Sequence, residues 1–307
     1  MRKVTLTQFG WSFLYLPVYV ALGKGFFKEN NIDLSIDTAG NDDIFTENII
    51  HKKAEFGIGD PVMTVIYNKK NKKQNKKNNI EVKAIAQIVK KATAWGISLK
   101  QNDKYMKSAK EFKGKTIVTF PNPSTTYTMI THAIKKAKYH EGKDVKLIEA
   151  RIGTELGPLF AGESDFAIAT EPTVSQVIAN GGKVVYRFTK DFPDMSFSGI
   201  IARTDTLKKE PKLTQDFLNA IQKGIDYIFE NPKNVPKAIS PLFVDVEEDV
   251  LEMAVKRTLD EEIIPRNMFI KQQEWEVMLK LRKEMGYLKD IKNGFLSVDN
   301  SFIEKIK

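Results

Sequence analysis

Apolar and polar residues alternate with a period of two over residues 3–9 and again over 32–37, the pattern of half-buried strands. Between them, residues 19–27 are apolar-rich and predict a helix. A second helix is predicted near 44–52, after Gly40, and a short apolar strand within 54–61. The same succession returns about 110 residues later. It comprises a strand at 115–120, a turn at 121–125, a helix at 128–139, a strand at 144–149, a helix near 156–161 after Gly153, and a strand within 163–172. Both copies stop at an acid followed by proline, Asp60-Pro61 and Glu171-Pro172.

Strand–helix alternation of this kind requires parallel strands joined by right-handed crossovers, hence two doubly wound α/β lobes. In such sheets a ligand binds beyond the carboxyl ends of the strands. Here those ends are the turns after Phe9, Asp37, Gly59, Phe120, Glu149 and Ala169, which converge on one cleft if the lobes face each other. Two extended segments, 93–99 and 195–202, read as crossings between the lobes, a two-strand hinge able to swing one onto the other. Beyond them the pattern is helical, at 214–231, 234–240, 246–259 and 272–285, punctuated by Pro211, Pro232, Pro236, Pro241 and Pro265. The expected domains are 1–95 with 200–307 as the first lobe and 96–199 as the second.

Composition narrows the chemistry. The 307 residues include no cysteine, which removes disulfides, thiolate metal sites, cysteine nucleophiles and a lipoprotein anchor cysteine. Of the net charge of +9, six lysines lie in the single low-complexity stretch 69–79, and setting them aside leaves +3. No arginine or aromatic residue interleaves those lysines, so the stretch reads as a solvated, mobile loop rather than a nucleic-acid surface. No window of about 18 uninterrupted apolar residues exists, which argues against a spanning helix. Residues 1–9 run directly into a strand pattern rather than a signal-peptide core.

Residues 19–34, with Gly25-Phe26-Phe27 before Ile32-Asp33-Leu34, resemble the signature of solute receptors that serve ABC importers of nitrate, alkanesulfonates, taurine and thiamine pyrimidine precursors. The phrases 111–117 and 162–166 are similar to the same group. Taken by themselves these residues have structural readings. Gly25 ends a helix, Phe26 and Phe27 pack beneath it, and Asp165-Phe166 opens a buried strand. The resemblance implies a periplasmic-binding-protein type II fold, a small-molecule ligand, an importer permease as partner and no cofactor. It further implies a monomer that meets a membrane only through the importer. The expected location is extracytoplasmic, with the export signal absent from the sequence shown; a cytoplasmic protein is the alternative.

The turns supply the candidate ligand residues. Trp11, Phe13 and Tyr15 follow the first strand, Trp95 lies in the hinge, and Tyr127 and Phe197 belong to the second half, together offering rings for a flat solute. Some of these rings, Phe13 and Phe197 among them, have core packing as the competing reading. Asn122, Ser124 and Thr125 precede a helix and present hydroxyls and free backbone N–H groups, an anion site and equally an ordinary cap. Asn41 occupies the matching turn of the first copy, beside Asp42, which reads as the cap of its own helix. Asp60 and Glu171 would accept hydrogen bonds from amino or ring N–H groups, unless they only cap the helices that follow. Arg151 is the one arginine in the predicted turns. A flat nitrogen heterocycle, such as a thiamine pyrimidine precursor, is thus favoured over an alkanesulfonate, taurine or nitrate.

Catalysis is weakly supported. His51, His132 and His140 show no metal-ligand spacing, Ser124 lacks a nucleophile-elbow context, and no glycine-rich phosphate loop is present. The fungal-type pyrimidine synthases, similar in the first lobe, carry a cofactor-bearing lysine and a histidine four residues later. Gly59 and Met63 stand at approximately those positions here, and the cysteine-rich iron motif of the synthases is absent. An enzyme using Asp60 and Glu171 as acid and base in a closed cleft is the alternative to a pure receptor.

Overall fold

The computed structural model describes residues 1–73 and 80–306. The first copy of the repeat folds as β1 (Arg2–Gln8), α1 (Leu16–Gly23), α2 (Phe26–Glu29), β2 (Ile32–Thr38), α3 (Asp42–Ile50) and β3 (Phe56–Gly59). Helix α4 (Met63–Lys73) and strand β4 (Val82–Val89) follow. The second copy consists of β6 (Thr116–Thr119), α5 (Thr125–Lys136), β7 (Lys146–Glu149), α6 (Leu156–Phe160) and β8 (Phe166–Ala169). It is entered through β5 (Trp95–Ser98) and followed by α7 (Thr173–Ala179) and β9 (Lys183–Arg187). Strand β10 (Ser198–Arg203) then returns the chain to the first sheet. Helices α8 (Thr204–Lys209), α9 (Pro211–Glu230), α10 (Val235–Ile239), α11 (Glu248–Asp260) and α12 (Gln272–Glu284) complete it.

Two five-stranded sheets result, ordered β2-β1-β3-β10-β4 and β7-β6-β8-β5-β9. Within each copy the strands pair in parallel, as the alternation with helices requires. The crossing strands differ. β10 runs antiparallel between β3 and β4, and β5 antiparallel between β8 and β9, so each sheet is mixed. This is the periplasmic-binding-protein architecture, with a helical C-terminal region.

Repeat-related side chains do equivalent work in both sheets. Glu55 accepts the Thr5 N–H at 2.8 Å, and Asp165 accepts the Thr116 N–H at 2.8 Å; each acid stands just before a buried strand and ties it to its neighbour. The predicted 19–27 helix is broken at Gly25, whose φ of +78° is reached cheaply only without a Cβ. Helix α9 buries Phe217, Leu218, Ile221, Ile225 and Ile228 on one face, and Phe217 stacks on Phe56 with ring centroids 4.1 Å apart. Gly224 lets α9 approach α1, since a Cβ there would lie 2.3 Å from the Pro17 carbonyl oxygen.

The lysine-rich stretch was expected to be a loop. Residues 69–73 instead close α4, because the helix that covers β4 continues through them, and the Lys69 Nζ lies 2.7 Å from Asp290. Residues 74–79 lie outside the described ones. Among the described residues no helix is long and apolar enough to cross a membrane.

Candidate functional site

The carboxyl ends of β1, β3 and β6 meet, with the start of β10, around a cavity of about 30 Å³. One side supplies Tyr15, Asp42, Gly59 and Asp60, the other Phe120 and Ser124–Thr126, and the crossing Phe197 and Ser198. The lobes are shut upon it. The Phe13 N–H donates to the Glu171 carbonyl oxygen at 2.8 Å, and Ser12 Oγ lies 2.8 Å from Thr170 Oγ1. Ile152 sits against Gly10 so closely that a Cβ there would be 1.9 Å from its Cγ2. A space of this volume admits a water or two; a ring-sized solute enters only when the lobes part.

Five of the twelve expected residues line the cavity: Tyr15, Asp60, Ser124, Thr125 and Phe197. Ser124 also caps α5, its Oγ accepting the Tyr127 N–H at 3.1 Å, and Thr125 donates to Asp60 Oδ2 at 3.1 Å across the cleft. The tyrosine hydroxyl of Tyr15 is held well above its ordinary pKa, first by burial and then by the nearby Asp42 charge, and so stays protonated.

The other seven are placed elsewhere. Trp11 is 41% exposed and stacks on Tyr19 at 5.1 Å, while Phe13 packs edge-on against Phe243. Asn41 is spent on α3, its Oδ1 accepting the Asp43 and Ile44 N–H groups at 2.7 and 3.3 Å. Trp95 is fully buried in the second sheet and donates its indole N–H to Glu261 at 3.0 Å. Asn122 is exposed and accepts from the Tyr287 hydroxyl at 2.6 Å. Tyr127 donates to Glu141, and burial followed by that carboxylate pushes its pKa up to about 12. Glu171 lies beneath the interlobe contact and accepts from the Ser175 N–H and hydroxyl at 3.0 and 2.9 Å.

Asp60 and Glu171 are therefore not bare carboxylates waiting for a solute, and the reason lies in two arginines from far along the chain. Arg282, on α12 and fully buried, donates its Nε to Asp60 Oδ2 at 3.0 Å and its Nη2 to the same oxygen. Its Nη1 donates to the Pro123 carbonyl oxygen at 2.6 Å and to Thr128 Oγ1, so one guanidinium joins the end of β3 to the start of α5. Arg257, on α11, donates its Nε to Glu171 at 2.6 Å, partly offsetting the burial that raises the pKa of that acid. Arg151, the arginine the turns had pointed to, is exposed.

Asp42 was expected to cap its own helix. Asn41 does so instead, and Asp42 in the first turn faces the cavity. Its carboxyl is buried, and burial together with the Asp60 charge pushes its pKa up to about 7. Its one side-chain hydrogen bond among the described residues is a long one, 3.5 Å, from the Asp60 N–H.

The NMT1/THI5-like family model matches residues 13–235, most of the chain. The chain belongs to the NMT1/THI5-like family. The Bacillus subtilis (strain 168) protein named as binding protein YtlA is 22% identical to this NMT1/THI5-like chain over 94% of its length and 85% of the relative's. Two solved structures share the fold. The ligand-binding component of an ABC-type import system from Staphylococcus aureus, with zinc bound, superposes with a TM-score of 0.73 at 14% identity, covering 100% of this chain and 99% of that one. The alkanesulfonate-binding protein SsuA from Xanthomonas axonopodis pv. citri, bound to MOPS, gives 0.74 at 10% identity, covering 97% and 98%. No group of three or more His, Cys, Asp or Glu able to hold a metal ion occurs among the described residues of this family member.

Proposed function

We propose that this NMT1/THI5-like protein is an extracytoplasmic solute receptor. It captures one small molecule between its lobes, closes, and presents the closed form to the permease of an ABC importer, with no chemical change to the solute. The observation that carries this reading is the cavity at the strand ends of two repeat-related lobes, shut by direct interlobe bonds and bounded by the hinge strand β10. A receptor needs that arrangement, because ligand contacts shared by both lobes convert binding into closure. The named roles of the relative and of the two solved structures agree with it.

Synthase chemistry is disfavoured on residues. Gly59 ends β3 with its carbonyl oxygen accepting from Ser198 Oγ at 3.1 Å, and Met63 is buried at the start of α4, so neither position offers an amine or imidazole. His132 pairs with Glu284, and His51 and His140 are exposed, away from the cleft.

For the solute we favour a flat nitrogen heterocycle bearing N–H donors, such as a thiamine pyrimidine precursor, over an alkanesulfonate, taurine or nitrate. Two carboxylates, Asp42 and Asp60, line the cavity, and the Arg282 guanidinium behind them is already bound to Asp60, surroundings that repel an anion. Thermal-shift titration with 4-amino-5-hydroxymethyl-2-methylpyrimidine, taurine, ethanesulfonate and nitrate tests this. Saturation at a hundred times Kd should stabilise the folded state by about 2.7 kcal/mol. Stabilisation by the aminopyrimidine alone is expected. Conversion of that compound on prolonged incubation would overturn the receptor reading, and a response only to the anions would overturn the choice of solute.

A further inference from the structure

We propose that Asp42 is the residue that selects the solute, taking a cationic or N–H-donating group of it and turning anions away. The inference rests on the receptor reading and assigns the charge of the solute to one side chain.

Of the two carboxylates that line the cleft, Asp42 is the one whose hydrogen-bonding capacity is largely unspent. Asp60 receives four bonds, from the Val62 N–H at 2.8 Å, from Thr125, and two from Arg282. Arg282 is committed in turn to Asp60, Pro123 and Thr128. Capping of α3 falls to Asn41. Asp42 is left with the 3.5 Å contact from the Asp60 N–H, although only 3% of its surface is exposed and it lines the cavity. A buried carboxylate without a cation or a full set of donors is costly, and a ligand that supplies either removes that cost.

The backbone keeps this carboxylate uncovered. A Cβ on Gly59 would meet the Phe45 ring at 2.9 Å and stand 3.2 Å from Asp42 Oδ1, so a side chain at that position would crowd both the ring and the oxygen. The charged and titratable groups that act on Asp42 are Asp43 on its own helix, Asp60 beyond β3, the Tyr15 hydroxyl and Arg282 from α12. Two carboxylates beside it disfavour its ionised form, and the one cation among these groups is held by Asp60. An amidinium, a protonated amine or an aminopyrimidine edge arriving here would meet an acceptor, while the rings of Phe120 and Phe197 close on its flat body.

The pH dependence follows. The pKa of Asp42 stands at about 7 in the ligand-free protein, above the ordinary carboxyl value, so protons compete with a cationic ligand for the same oxygen. Affinity for a permanent cation should therefore be full above pH 7 and fall by up to about tenfold per pH unit below it.

Three probes of nearly the same shape, which step down in charge and in N–H donors together, decide the matter: benzamidine, benzamide and benzoate. Each is titrated calorimetrically, up to millimolar concentration, into the wild-type chain and Asp42→Asn at about pH 5.5 and about pH 8.5. The expected order at the higher pH is benzamidine first, benzamide second and benzoate last. Asp42→Asn should bring benzamidine and benzamide to within about threefold of each other and remove the pH dependence. Should that variant fail to fold, the pH dependence of benzamidine binding to the wild-type chain decides alone. The proposal is overturned if benzoate binds best, if benzamidine does not bind, if its affinity ignores pH, or if Asp42→Asn keeps the preference for the cation. In any of those cases, stabilisation by some solute of the earlier panel leaves the receptor reading standing. Silence from every compound in both panels would sink that reading as well.

Discussion

Removing Arg282 is the sharpest probe of how the two lobes are held together. Its side chain is fully buried and that of Asp60 is 1% exposed. Arg282→Met keeps much of the volume but strands the Asp60 carboxylate, with Asp42 beside it, and unpairs the Pro123 carbonyl. Breaking a buried ion pair by deleting one partner costs about 3–5 kcal/mol. Asp60→Asn should cost less, because Arg282 retains Pro123 and Thr128 and gains the neighbouring Asp42 as counter-charge. The double variant should then lie closer to the wild type than the sum of the singles, with a coupling of at least about 1 kcal/mol. Equilibrium urea unfolding of the four proteins, followed by tryptophan fluorescence and circular dichroism, measures each corner of the cycle. Small-angle scattering should show Arg282→Met expanded, since the guanidinium bonds that join the end of β3 to the start of α5 are gone and the Thr125–Asp60 bond is left to hold them. A loss under about 1 kcal/mol for Arg282→Met, or strict additivity in the cycle, would refute the reasoning.

Other perturbations test separate parts of the molecule. Glu155 is fully buried, neither of its carboxylate oxygens has a hydrogen bond of ordinary geometry among the described residues, and burial outweighs the nearby backbone N–H groups of residues 153–155 and the Thr173 hydroxyl to raise its pKa. Glu155→Gln should therefore stabilise by about 1 kcal/mol in urea melts at neutral pH, a gain that disappears once acid protonates the wild-type side chain in both states. The elevated pKa of Asp42, about 7, makes its ionised form a burden on the folded state. Its contribution to stability should fall as pH rises from the ordinary carboxyl range to about 7 and stay level above, and Asp42→Asn should flatten that part of a melting-temperature profile. Gly224→Ala should destabilise by about 1–3 kcal/mol in the same melts, because its Cβ would meet the Pro17 carbonyl oxygen at 2.3 Å.

Much of the fold could be read from period alone. The two-residue alternation and the interposed helices place β1, β2, β6 and β7 within a few residues of their observed spans, and the recurrence predicts matched sheets. The antiparallel insertion of β5 and β10 could not be read, because an apolar run such as Trp95–Ser98 has the same pattern whichever way it pairs. The cleft was legible where it depends on turns, as at Tyr15, Asp60 and Ser124. It was opaque where it depends on distant partners. Arg282 sits between Leu281 and Lys283 near the end of a charged helix, a surface position by pattern, yet it pairs with an acid 222 residues away. Asp42 was missed by one residue of register. Asn41 and Asp42 are both competent caps, and only the backbone shows that the first takes the role and leaves the second facing inward.

The placement of the crossing strands also orders events during synthesis. Every strand of the second sheet lies between Trp95 and Arg187, so that sheet can pair completely as soon as this stretch has left the ribosome. The first sheet is begun earlier and finished later. Its edge strand β4 has no neighbour until β10, residues Ser198–Arg203, emerges to fill the gap beside β3. The amino-terminal half of the chain must therefore wait, with two strand edges open, for a piece of sequence made after the other lobe. A chain truncated before Ser198 would carry one complete sheet and one split sheet, and its unpaired edges would favour association with other copies.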